Sequence, residues 1–144
     1  MKGDRLRVPV DDRYVEALGR AAYVFATLEW NAVWCCERMR AGDIQSLGRK
    51  TAGDIAADLA RFASRRPDPR HRDDISGPAR EFKRLVLVRN GIMHGKPGTA
   101  PDGGQRLFRD GAPWTPEMLE DAADEFAACS ALLNALLYDQ LKQP

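Results

Sequence analysis

Leu85-Val86-Leu87-Val88-Arg89-Asn90-Gly91-Ile92-Met93-His94-Gly95 is an apolar run that ends in an arginine, an asparagine and, five residues after the arginine, a histidine. Gly95 and Pro97 then open a loop. At about 100° per residue on a helix, Phe82, Leu85, Val88, Arg89, Ile92 and Met93 fall on one face. Arg89 is therefore placed inside an oily stripe. A guanidinium keeps its charge at ordinary pH, so a buried one must find a partner or border a wet cavity. Asn90 and His94 share an adjoining face, about 40° apart by the same arithmetic. The stretch reads as the end of a buried helix that carries a cation, an amide and a titratable imidazole to a groove.

Arg89-Asn90-Gly91-Ile92-Met93-His94 resembles the signature of the HEPN superfamily, an arginine, often a polar residue after it, and a histidine after a gap of about four to six residues. Arg66 and His71 repeat the spacing, but Pro67 and Pro69 break that copy and exclude it from a helix interior. The resemblance implies a four-helix bundle with the motif on a late helix. It also implies a metal-independent endoribonuclease, often the toxin of a toxin-antitoxin or abortive-infection system, whose site forms where two protomers meet. Some such toxins carry a tyrosine two residues after the histidine; here that position is Lys96.

Working outward, the chain reads as one long helix from about Asp11 to Arg40, with Tyr14, Leu18, Ala21, Ala22, Phe25, Leu28, Ala32 and Val33 at helical spacing. Tyr23, Trp30 and Trp34 widen its stripe, which points to a contact beyond its own bundle, with a second copy as the natural candidate. Glu29 lies among Phe25, Ala26, Ala32 and Val33 and calls for a cation, for which Arg89 or His94 serves. Ala41 to Lys50 reads as a turn region. A second helix is expected from Thr51 to about Ser64, capped by Thr51 and burying Ile55, Leu59 and Phe62. Arg65 to Gly77 reads as a connector whose arginines either lean over a phosphate-bearing groove or lie in a solvated loop. The third helix is expected from near Pro78 to near His94. Gly95 to Pro113 is a long loop in which Gln105 to Arg109, followed by Asp110-Gly111, suits a small two-stranded ribbon. Thr115 and Pro116 then start a last helix with Leu119, Ala122, Phe126, Cys129, Leu133 and Leu136 on its core face, and Leu132 and Ala135 beside it. The expected architecture is all-α: a single domain over residues 1–144, an up-and-down four-helix bundle with a long loop between helices 3 and 4.

Composition is that of an ordinary globular chain, with 44% hydrophobic and 30% charged residues and a net charge of +1. No apolar run approaches the roughly 20 residues of a membrane span, and a cytoplasmic location is expected. Three cysteines, two of them adjacent, fit neither a disulfide framework nor a spaced metal site, and no cofactor is implied. Arg61 through Lys96 holds ten Lys or Arg against four Asp or Glu, whereas Asp110 through Pro144 holds one against seven. Arginine outnumbers lysine 17 to 5, which suits forked phosphate contacts.

RNA carries its own nucleophile, the 2′-OH, so the residue types suit its cleavage. His94 is the expected proton acceptor or donor, Arg89 the stabiliser of the phosphate's developing charge, and Asn90 positions phosphate or imidazole. Lys96 offers a further phosphate contact and Glu29 a supporting one. The expected partners are a second copy, an RNA substrate and a cognate antitoxin protein, with no membrane. The rival reading is a non-catalytic HEPN-like dimer that binds a protein, with Arg89 paired to Glu29 as core architecture. A third is a small-ligand pocket lined by Trp30, Trp34 and His94.

Overall fold

The computed structural model describes residues 3, 5–42 and 44–143. Their elements run α1 (Asp12–Met39), α2 (Ile44–Leu47), α3 (Ala52–Ser64), α4 (Pro69–Met93), β1 (Lys96–Thr99), β2 (Gln105–Arg109), β3 (Ala112–Pro113) and α5 (Pro116–Tyr138). The chain is mainly helical, with one small antiparallel sheet ordered β1-β2-β3.

The helices start where the side chains dictate. Asp11, Thr51 and Thr115 accept hydrogen bonds from the backbone N–H groups of Tyr14, Asp54 and Met118, satisfying donors that a first turn leaves open. The long helices bury their stripes in one cluster, with Leu28, Leu59, Phe82, Leu85, Phe126 and Leu133 fully enclosed. At its centre Phe25 stacks on Phe82 at 6.2 Å and meets Phe126 edge-on at 5.1 Å.

Contacts set the helix directions. Arg13 pairs with Glu117 and Glu120, Asn31 donates to Ser130, and Arg38 donates to the carbonyls of Leu137 and Leu141. α1 and α5 therefore run parallel. Arg84 meets Glu125 and Gln140 meets Asp74, so α4 runs against α5. The connection through α2 turns back beside Trp30, whose ring lies against Gly48, and α3 then climbs along α1 until Phe62 lies under Arg40. α1, α3 and α5 thus point one way and α4 the other, which corrects the alternating up-and-down order. The physical reason is the returning segment: it buries Leu47 and brings α3 back to the middle of α1.

Other boundaries also shift. α4 begins at Pro69, not near Pro78, which lies inside it; Asp68 caps it through the Arg70 N–H. The connector shrinks to residues 65–68. The segment from 69 to 77 is helical because Ile75 is fully buried and Asp74 meets the end of α5, a tertiary gain that outweighs an interior proline. On α1 Ala22, Tyr23 and Trp30 are exposed, on α4 Met93 is exposed, and on α5 Leu132 and Ala135 are exposed. The expected ribbon is extended to three strands: β1 pairs Lys96 with Phe108 in register, and β2 turns into β3 through Asp110-Gly111, where both residues take positive φ. No helix of the described residues is long and apolar enough to cross a membrane.

Candidate functional site

The sheet folds back onto the end of α4, and this builds the surface around the motif. Tyr14 on α1 is the anchor: its hydroxyl accepts from the Leu107 N–H at 2.9 Å and donates to the Trp114 carbonyl at 2.9 Å. Trp114 in turn donates its indole N–H to the Gly91 carbonyl at 3.1 Å, satisfying one acceptor that the last turn of α4 leaves open.

Arg89 is half-buried, its guanidinium carbon 4.8 Å from the centre of the Phe25 ring. Its Nε–H is buried and meets no acceptor among the described residues. Glu29, also half-buried, makes no ion pair with it within 4.0 Å. Burial pushes the Glu29 carboxyl above its ordinary range, and the Arg89 charge opposes this without winning. The expected Glu29–Arg89 pairing is thus electrostatic proximity and not a salt bridge.

His94 caps α4, with its backbone N–H donating to the carbonyl of Asn90 at 2.9 Å while its side chain is exposed and unengaged among the described residues. Asn90 is half-buried. Lys96, exposed on β1, follows two residues later. Arg89, Asn90, His94 and Lys96 therefore share one end of α4, with Glu29 on α1 behind Arg89. Among the best-formed grooves of the described residues, Arg89, Asn90 and His94 line none. Trp30 and Trp34 meet edge-on at 6.2 Å, and none of these grooves is lined by either of them.

Arg109 is the residue that the motif alone does not reveal. Its guanidinium lies across Gly91: a Cβ there would collide with Nη1 and come within 3.0 Å of Cζ. A second forked cation thus lies on α4 next to Asn90. Gly91 carried the signal, because glycine inside a helix costs about 1 kcal/mol against alanine and marks close approach by another group.

No group of three or more His, Cys, Asp or Glu side chains able to share a metal ion occurs among the described residues. No family model, no curated protein and no solved structure matches the chain.

Proposed function

We propose that this chain is a HEPN-like endoribonuclease that works as a pair of copies and without a metal. The observation that carries the reading is Arg89: a half-buried guanidinium whose Nε–H lacks an acceptor among the described residues, one turn before an exposed imidazole. A desolvated donor of this kind gains most from an anionic oxygen. In the proposed reaction His94 takes the proton of a ribose 2′-OH, O2′ attacks the adjacent phosphorus, and the P–O5′ bond breaks. The 5′ oxygen takes up a proton, leaving a 2′,3′-cyclic phosphate and a 5′-hydroxyl. Arg89 and Arg109 hold the phosphate oxygens as charge builds on them, and Asn90 orients phosphate or imidazole. Lys96 extends the phosphate contact, and Glu29 supports Arg89 from behind. Exposed Leu87 and Met93 on α4 and exposed Tyr23 and Trp30 on α1 supply apolar surface for a second copy, whose approach would enclose the end of α4 in a cleft. The toxin role and a cognate antitoxin belong to the same proposal, through the resemblance alone.

The test is cleavage of single-stranded RNA in EDTA. Wild-type protein is expected to leave cyclic or 3′-phosphate ends, and His94→Ala to fold and associate like wild type while losing about 10²–10⁴-fold in rate. Equal activity in the variant removes His94 from the reaction. A second reading, a non-catalytic module that binds a protein, is favoured by the exposed apolar side chains of Leu87 and Met93 on the helix that carries the motif. It predicts an association that His94→Ala leaves intact, with no cleavage by either protein.

A further inference from the structure

At the opposite end of α4 lies a second arginine cluster that the reaction above does not use. Between residues 61 and 72 the chain carries five arginines and one aspartate. Arg65 and Arg66 continue the last turn of α3, their N–H groups donating to the carbonyls of Phe62 and Ala63 at 3.2 Å each, and Pro67 fixes the exit. The two side chains are thereby held on a rigid turn. With Arg40, Phe62, Met39 and Pro67 they line a groove of about 450 Å³ whose wall is mainly polar. Among the described residues, the groove lining includes no carboxylate. Asp68, the one acidic residue in the run, is turned to the Arg70 N–H at 2.9 Å, and Arg61 is engaged by buried Asp58.

The Arg66 Nε–H is buried without an acceptor, and neither Arg65 nor Arg66 has a carboxylate partner among the described residues. The Arg40 guanidinium lies 5.7 Å from the centre of the Phe62 ring, and both residues line the groove. Arg65 and Arg66 are adjacent cations, and they repel one another unless a counter-charge sits between them. We propose that the Arg65–Arg66 groove is a phosphate-binding site, taking one phosphate group in forked hydrogen bonds. Since α4 has 25 residues, the groove and His94 are separated by about 37 Å. That spacing makes it a second contact for a long RNA, or a separate site for a free phosphate, and the proposal does not depend on the ribonuclease reading.

The test follows the arginine Nε–H resonances of the full chain by nuclear magnetic resonance, at constant ionic strength held with chloride, as inorganic phosphate is added. The Arg66 resonance is expected to shift saturably, and the shift to need at least tenfold more phosphate in Arg65→Ala, which keeps the Arg66 probe. A second arm adds a single-stranded oligoribonucleotide without terminal phosphate to His94→Ala protein, which removes any cleavage. The same shift at tenfold or more lower concentration assigns the site to the RNA backbone; a shift with inorganic phosphate only assigns it to a free phosphate group. If neither ligand moves Arg66 beyond the chloride control, the proposal is overturned. The wild-type titration decides this even if Arg65→Ala fails to fold.

Discussion

Glu29 and Gly95 show how single residues on either side of the motif are constrained. The Glu29 carboxyl titrates above its ordinary 4.5 because burial penalises its charged form more than Arg89 favours it. For an acid whose folded pKa is raised, the stabilising contribution is present below 4.5 and is lost as pH rises through the raised value. Glu29→Gln should therefore raise the melting temperature at pH 7, with the advantage over wild type disappearing as pH falls below 4.5. A lower melting temperature at pH 7 would mean that Arg89 does hold the carboxylate. Gly95 faces packing: a Cβ there would lie 2.9 Å from the Leu107 Cβ and 3.0 Å from the Ile92 carbonyl oxygen, neither at the end of a flexible side chain. Gly95→Ala should cost about 1–3 kcal/mol, measured as a lower urea midpoint. The motif's residue types and spacing were legible in the chain. Arg109 was not, because nothing in a local pattern says that a strand residue some twenty positions on will lie across Gly91.

Among the elements, one hydroxyl links the sheet to α1. Tyr14 is 3% exposed and joins the Leu107 N–H to the Trp114 carbonyl, so it ties β2 and the start of α5 to α1. Tyr14→Phe leaves a donor and an acceptor unmatched in a largely closed site and should cost about 1–3 kcal/mol. Amide exchange at Leu107 is expected to speed up more than exchange in the middle of α5; equal acceleration at both would make the loss global and not a loosening of the sheet. The Thr51 and Thr115 caps and the Asp110-Gly111 turn were readable because each is settled within a few residues. The start of α4 was not. Pro69 and Pro78 both suit a first helical turn, and only the burial of Ile75 and the Asp74–Gln140 contact choose between them.

For the whole molecule, the closed core governs the chemistry of its cysteines. Burial pushes Cys35 and Cys36 up to about 12 and Cys129 to about 11, so almost no thiolate forms near neutrality. Iodoacetamide at pH 8 should label none of the three in the native protein and all three in urea, with labelling that tracks global unfolding. Fast native labelling of Cys129 alone would show that α4 and α5 part locally, since its thiol faces the Pro78 carbonyl between them. The apolar periods, caps and turn residues were sufficient, by themselves, to determine a mainly helical chain, most core-facing positions and a polar α4 terminus, because each follows from neighbours three or four residues apart. Only the tertiary structure decided that α1, α3 and α5 run parallel and that Arg109 and Trp114 close over Gly91. It also left Arg89 beside Glu29 without an ion pair. These depend on how a returning connection and a folded-back sheet share one core, and that energy is set by contacts between distant parts of the chain.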